Sequence, residues 1–338
     1  MILTVTLNAA LDLTYRVPHL VPHASHRVRE VTERPGGKGL NVARVLAALG
    51  LPSTVTGFAG GETGRVLRAL LAADAEAAGP DGRALVTDAL VTVAGNTRRT
   101  VGVVDETTGD TTQLNEPGPH ITPDEWETFL AAYRELLAGQ VRAVALCGSL
   151  PPGVPVGAYA TLVREARTAR VPVLLDTSGE PLRRGLAARP DIIKPNAEEL
   201  AGITGTAEPL RAARAAQRRG AHTVAASLGA DGMLLVTPDG AWSAAVPERL
   251  TGNPTGAGDS AVAGLLSGLA EGLPWPDRLA RAVALSAATV RSPVAGEFDE
   301  ETYTGMLPAV RVRPSEAPSA PCAGALACAG SRQRSGGG

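Results

Sequence analysis

The 338-residue sequence predicts an α/β fold: a doubly wound, mainly parallel sheet flanked by helices, with a small antiparallel β lid. Its middle and later parts alternate short apolar runs with helical stretches, as buried parallel strands and their crossover helices do. Two Val- and Thr-rich stretches break that rhythm with alternation and turn signals, which predicts short antiparallel strands outside the main sheet. Glycine-bearing loops follow several of the apolar runs, at the strand ends where such sheets bind ligands.

Taken in order, the opening MILTVTLNAALD reads as a first strand; it lacks the basic leader and long apolar stretch of a signal peptide, and a cytoplasmic protein is expected. Residues 14–34 and 85–115 form the two lid excursions, the second carrying the turn signals Ala94-Gly95-Asn96 and Thr108-Gly109-Asp110. A helix is expected over Val42–Leu49. Buried strands are expected at Val141–Leu146, Val171–Leu175, Asp191–Ile193 and Thr223–Ala226, and helices at Val156–Arg170, Glu208–Arg219, Ala257–Gly268 and Asp277–Thr289. One domain therefore spans 1–312. From 313 to 338 the chain is Pro, Ala, Ser and Gly without periodicity, too poor in apolar surface to offset its ordering entropy, and a disordered tail is expected.

Composition narrows the function. A net charge of −2 and a pI near 6.2 give no general attraction to phosphate backbones or anionic membranes. Aromatics at 3% supply no base-stacking platform, and no apolar run approaches the ~20 residues of a membrane span. Nucleic-acid and membrane partners are therefore not expected. Cys147, Cys322 and Cys328 do not make a disulfide framework, which fits a reducing compartment. Of the 32 basic residues only Lys38 and Lys194 are lysines. A compact, rotatable ammonium fits a tight glycine loop where a planar guanidinium would clash.

The strongest local signal is Asn253-Pro-Thr-Gly-Ala-Gly-Asp-Ser260 before an apolar helix. Small residues at 256–258 let the chain turn tightly and leave helix-start amides facing outward as an anion site, with the Asp259 carboxylate beside them to accept a hydroxyl proton. A capping Asp after a glycine turn is the plainer alternative. A second cluster, Pro35-Gly-Gly-Lys-Gly-Leu-Asn-Val-Ala-Arg44, also enters a helix, with Lys38 and Asn41 at its entrance; its spacing is not that of a Walker A loop. Further loops are Gly148-Ser-Leu-Pro-Pro-Gly153, Lys194-Pro-Asn-Ala-Glu-Glu199 and Ser227-Leu-Gly-Ala-Asp-Gly232. All are expected at the C-terminal ends of strands, where phosphoryl transfer from a nucleotide explains the set.

Together these segments, in order over about residues 1–310, resemble the ribokinase-like, or PfkB, family of carbohydrate kinases, and Thr6-Leu-Asn-Ala-Ala-Leu-Asp12 with Asn96-Thr-Arg-Arg-Thr100 resembles its hexose-phosphate branch. The resemblance implies a ribokinase-like fold and an ATP- and Mg²⁺-dependent conversion of fructose 1-phosphate to fructose 1,6-bisphosphate. Tagatose 6-phosphate and fructose 6-phosphate are the alternative acceptors, and a non-catalytic sugar-phosphate or nucleotide sensor is the alternative of another class. Asp259 is then the general base and Gly256, Ala257 and Gly258 the anion hole. Asp12 would hold sugar hydroxyls, with Gly37, Lys38, Gly39 and Asn41 lining the sugar-phosphate pocket. Arg98 and Ser149, assisted by Arg27, would take the phosphate already present. Lys194 and Asn196 would meet the ATP phosphates, Ser227, Gly229, Gly232 and Gly258 would line the nucleotide site, and Glu199 would organise Mg²⁺ through water. By the same analogy the lid is expected to pair two chains as a homodimer. Two positions depart from the family pattern: Ala9 stands for its usual proline and Thr100 for its usual asparagine.

The three clustered histidines, His19, His23 and His26, lack an acid or thiol to complete a metal set and are expected to be exposed on the lid. Cys147 has no histidine base nearby in sequence and is expected to be a buried packing residue.

Overall fold

The computed structural model describes residues 1–75, 84–292 and 294–315. Strand β1 (Ile2–Thr6) is buried along its whole length and lies in the interior of the main sheet. The chain then leaves that sheet for β2 (Ala10–Val17) and β3 (Glu30–Gly36) and returns through helix α1 (Lys38–Ala48), β4 (Ser53–Gly60) and α2 (Gly61–Ala75). Short strands β5 (Val86–Asp88) and β6 (Val91–Val93) follow, and a second departure makes β7 (Arg98–Asp105) and β8 (Thr111–Asn115). From there the alternation is regular: α3 (Pro123–Leu137), β9 (Ala143–Cys147), α4 (Ala158–Thr168), β10 (Val173–Asp176), α5 (Gly179–Ala187), β11 (Ile192–Ile193), α6 (Ala197–Thr204), α7 (Pro209–Arg218) and β12 (Thr223–Ser227). Antiparallel strands β13 (Met233–Val236) and β14 (Ala241–Ala245) precede helices α8 (Ala257–Ala270) and α9 (Trp275–Val290), and β15 (Arg311–Pro314) closes the sheet.

The main sheet runs β15-β14-β13-β12-β11-β10-β9-β1-β4-β5, with β6 also on β4, and its strands from β12 to β5 are parallel. Successive strand residues serve opposite faces. In β9, Val144 and Leu146 join the core under α3 to α7, whereas Ala143, Ala145 and Cys147 join the core under α1, α8 and α9. Burying a Leu or Phe side chain contributes ~1.5–3 kcal/mol, so these two layers hold the sheet from both faces. Helix α8 is buried all round, which explains why its sequence is apolar and small with no polar stripe.

The second sheet has the order β3-β2-β7-β8. Its outer pairs are antiparallel, but β2 and β7 run parallel, because each leaves the main body in the same direction. Three expectations need revision. Strands β5 and β6 fall inside the 85–115 excursion yet pair with β4 in the main sheet, since alternation reports a half-buried strand but not its partner. The lid also begins earlier than residue 14, at Ala10. At the other end, β15 pairs with β14 and carries ordered chain to Pro314, beyond the expected boundary at 312; Cys322, Cys328 and the rest of the expected tail lie outside the described residues.

Candidate active site

Three adjacent parallel strands, β9, β10 and β11, end side by side and turn into Gly148, Asp176 and Lys194. The Gly148 N–H donates to Asp176 O at 2.9 Å and the Lys194 N–H to Leu175 O at 3.1 Å, so these loop starts are continuations of the sheet. Helix α8 begins against them. Its N-cap, Gly256, has φ +85°, a left-handed conformation that a side chain strains, and an added Cβ would meet the Ala295 backbone at 2.9 Å. The Lys194 ammonium stands 3.4 Å from where a Cβ on Gly258 would be, so a cation already lies over this helix start.

Asp259 sits in the first turn of α8, 6% exposed, and accepts a 2.8 Å hydrogen bond from Asn41 Nδ2. Burial pushes its carboxyl up to about 6; Asp176 adds to the rise, while Lys38, Asn41 and Lys194 oppose it. Such a group is ionised at neutral pH yet close enough to its midpoint to take a proton. The anion-hole expectation needs one correction. The Ala257 N–H is turned back to Pro254 O at 3.2 Å, which leaves the amides of Gly256 and Gly258 for an anion.

The glycine cluster after β3 also differs from expectation at its start. Helix α1 begins at Lys38, four residues before Val42, so Lys38 and Asn41 project from its first turn. Gly37 is its N-cap at φ +112°, held against Thr6 and Ala9, and Gly39 is buried against β1. Packing thus accounts for both glycines. Lys38 Nζ donates to Asp176 Oδ2 at 3.2 Å, and Lys194 Nζ lies 3.4 Å from Asp176 Oδ1. Both lysines of the chain therefore meet on one carboxylate. Burial by itself lowers the Lys38 ammonium, but Asp176 and Asp259 outweigh it and hold it above the ordinary lysine value.

A second group surrounds Asp12 on β2. Its strand register sets it opposite Thr100 of β7 and Arg34 of β3. Burial pushes the Asp12 carboxyl up to about 6, against the pull of Arg98, a Thr100 hydrogen bond and Arg44. A cleft of about 80 Å³ lined by Asp12, Arg34, Arg44, Thr100 and Thr255 separates this strand from the loop before α8. Arg98 donates to Asn8 O at 3.1 Å and to Thr100 Oγ1 at 3.4 Å, while Asn8 Nδ2 donates to Ser149 Oγ at 3.1 Å. Asn8 thereby ties Arg98 to Ser149 at the wall of an open cavity of about 770 Å³. Thr100, at the position of the family's asparagine, links Arg98 and Asp12.

Other expected residues stand apart. Asn196 and Glu199 cap α6 reciprocally: Glu199 N–H donates to Asn196 Oδ1 and Asn196 N–H to Glu199 Oε2, each at 2.8 Å. That capping box explains the Asn-x-x-Glu spacing and commits one Glu199 oxygen to the helix start. Asn196 also bridges to Ser227, whose turn is closed by a Leu228 N–H to Gly232 O bond at 2.8 Å, with Gly229 and Gly232 at its two ends. Arg27 is exposed in the loop beyond the Arg16–Glu30 pair. That is the distal end of the β2–β3 ribbon, ~20 Å of strand from the Ala10–Gly36 end that adjoins the site. Arg27 therefore does not reach Arg98 of its own chain. His19 is exposed on the lid as expected, and it also pairs with Asp105 Oδ2 at 2.7 Å. Cys147 is fully buried, and burial pushes its thiol well above its ordinary value, as for a packing residue.

Asp176 and Asn8 were the residues sequence reasoning missed. Asp176 carries no motif spacing, but the retention of two lysines in an arginine-rich chain pointed at its partners.

Comparison with known proteins places the chain in a family. The family description "pfkB family carbohydrate kinase" matches residues 5–302. A 1-phosphofructokinase of Rhodobacter capsulatus is 41% identical over 293 residues, 85% of this chain and 90% of that one, and a 1-phosphofructokinase of Bacillus subtilis (strain 168) is 33% identical over 92% of this chain and 99% of that one. The crystal structure of Escherichia coli phosphofructokinase-2 in complex with fructose-6-phosphate superimposes with a TM-score of 0.79 at 28% identity, covering 90% of this chain and 98% of that one. With these matches spanning nearly its whole length, the chain belongs to the pfkB family of carbohydrate kinases.

Proposed function

We propose that this kinase transfers the γ-phosphoryl group of ATP to the 6-hydroxyl of fructose 1-phosphate, giving ADP and fructose 1,6-bisphosphate. The observation that carries the reading is the buried Asp259 carboxylate at the start of α8, beside the Gly256 and Gly258 amides and the Lys194 ammonium. Asp259 takes the hydroxyl proton as the new O–P bond forms and the bond to the ADP oxygen breaks. The two amides and Lys194 stabilise the equatorial oxygens of the group in transfer. A substrate that already carries a phosphate needs cationic donors for it, and Arg98 beside Ser149 supplies them at the open cavity. Asp12 orients the sugar through its hydroxyls. Mg²⁺ bound with the triphosphate would neutralise phosphate oxygens, and Glu199 would hold it through a water. Glu199, with one oxygen given to the α6 cap, has the other for such a water.

The relatives named 1-phosphofructokinase favour the 1-phosphate as acceptor, and the fructose-6-phosphate complex of the E. coli protein supports the 6-phosphate as second reading. Both ends of a fructofuranose bear a primary hydroxymethyl, so one pocket can hold either phosphate. A coupled ADP-release assay over fructose 1-phosphate, fructose 6-phosphate, tagatose 6-phosphate and free fructose decides between them. The highest kcat/KM is expected for fructose 1-phosphate, and free fructose as best substrate would refute the phosphate pocket.

A homodimer formed by the lid accompanies this reading. Val21, Val28, Val31 and Leu114 lie exposed on the lid segments, Leu114 at 60% and Val31 at 55%. Pairing would cover them and give the distal Arg27 a route to a neighbouring chain's site.

A further inference from the structure

The strand-end cluster contains a carboxylate to which neither the base nor the anion hole assigns work. Asp176 is 1% exposed, ends β10, and has its backbone O bonded to Gly148, so the sheet itself fixes its position. Its two oxygens face the two lysines unequally. Oδ2 accepts a hydrogen bond from Lys38, whose side chain is 41% exposed. Oδ1 lies 3.4 Å from the 5% exposed Lys194 and accepts no hydrogen bond among the described residues. One ammonium is thus walled in over Gly258, and the other is held by a single bond at the rim. We propose that Asp176 is a positioning residue for phosphoryl transfer: it fixes Lys194 over the α8 start and parks Lys38 until that lysine swings onto the phosphoryl group in transfer. This role rests on the transfer reading above.

Charge and side-chain shape support it. Asp176 and Asp259 balance Lys38 and Lys194 in formal charge, and an incoming phosphoryl group unbalances them. The half-exposed Lys38 can then change partners by rotating a flexible stem, whereas a planar guanidinium would have to break a fork of bonds. Asn41, in the same first turn of α1 as Lys38, donates to Asp259 Oδ2 at 2.8 Å, so Lys38 starts beside the base. The same arrangement explains why this chain keeps lysine at these two positions.

Having two lysines makes the test direct. Labelling with [ε-¹³C]lysine should give two side-chain signals, assigned by Lys38→Arg. In the wild type, fructose 1-phosphate with the magnesium complex of a non-hydrolysable ATP analogue should move the Lys38 signal. Asp176→Asn without ligand should move both. In turnover, Asp176→Asn should lower kcat ~10²-fold, more than it raises either KM. It should also move the acid limb of kcat/KM to lower pH, because Asp259 then faces Lys38 of α1, Lys194 after β11, Asn41 of α1 and the Cys147 thiol of β9 without the Asp176 charge. Asp176→Glu should recover part of kcat. A lysine signal that ignores Asp176→Asn, a Lys38 signal that ignores the bound analogue, or an unmoved acid limb each overturns the proposal. If Asp176→Asn does not fold, Asp176→Glu must shift both signals. The signals need no turnover, so a wild type inactive on every sugar phosphate refutes the transfer reading separately from the lysine geometry.

Discussion

Asp259 and Asp12 are both carboxylates that burial lifts to about 6, yet one stands at the start of a helix inside the main body and the other on a strand of the lid. Their counter-ions differ in kind. Around Asp259 the cations are the chain's two lysines, and around Asp12 they are Arg98 and Arg44. A point charge on a flexible stem can follow charge that shifts during a reaction, whereas a guanidinium fork holds fixed carboxylate or phosphate oxygens. The difference teaches that a raised carboxyl pKa does not by itself identify the base. What separates the two carboxylates is the kind of partner cation, ammonium or guanidinium, and the element beneath, a helix start in the main body or a strand of the lid.

The largest expected effect tests that separation. Asp259→Asn should lower kcat by ~10² or more with ATP and sugar-phosphate binding largely kept, measured by steady-state kinetics and equilibrium binding. In the wild type, kcat/KM should fall as pH drops through about 6, where Asp259 takes up its proton. Stability should move the opposite way in the variant. Because the folded pKa is raised from 3.8 to about 6, the folded chain binds a proton that the unfolded chain has lost between those values. Stability therefore declines as pH rises through that window, and the cost, at most about 3 kcal/mol, is present at pH 7 and above. Asp259→Asn should then melt higher than wild type at pH 8 and gain less at pH 5. A variant that melts lower at pH 8 would mean that the carboxylate's pairing with Asn41 and the lysines outweighs its burial.

Next in size is the lid side. Arg98→Ala should raise KM for the phosphorylated sugar by ~10–10², with KM for ATP nearly unchanged, since a charge-assisted pair to phosphate is lost. Equal effects on both substrates would erase the division between the regions. Asn8→Ala keeps the backbone O that accepts from Arg98 but removes the Nδ2 bond to Ser149, so it should reproduce only a small part of the loss.

How much of this division could be read beforehand depended on whether a residue acts through its neighbours in sequence. GGKGLNVAR and NPTGAGDS are legible because each is a local glycine turn that enters one helix, although Lys38 and Asn41 meet Asp176 and Asp259 only across the fold. Asp176 is 138 residues from Lys38 and Asn8 is 141 from Ser149, so their roles exist only once the sheet has been assembled. The same limit put β5 and β6 in the lid, whereas α3, which had no expected counterpart, opens with a local capping box of Thr122 and Glu125. Asn196 and Glu199 show the converse. Their spacing is also that of a capping box, a local signal that was available and that the structure contains.

Lys194→Arg and Lys38→Arg grade the transfer side more finely. With Lys194 walled in and Lys38 at the rim, the first should reduce kcat by ~10-fold or more and the second by less, although both keep the charge. Equal, small losses would mean that charge alone matters here.

The smallest effect on turnover belongs to the outer face of the lid. Leu114→Asp and Val31→Asp place charges on an exposed apolar surface whose only cost in the single chain is slight, because neither side chain is buried. If the lid pairs two chains, a carboxylate at either position is desolvated against its partner, and sedimentation should show the assembly shift toward the monomer. Turnover should then fall a few-fold through KM for the sugar phosphate, since Asp12 and Arg98 stand on strands of that same sheet while Asp259 and the lysines do not. A monomer with unchanged KM would free the lid's substrate residues from any dependence on pairing. An unchanged assembly state would mean that the lid does not pair two chains.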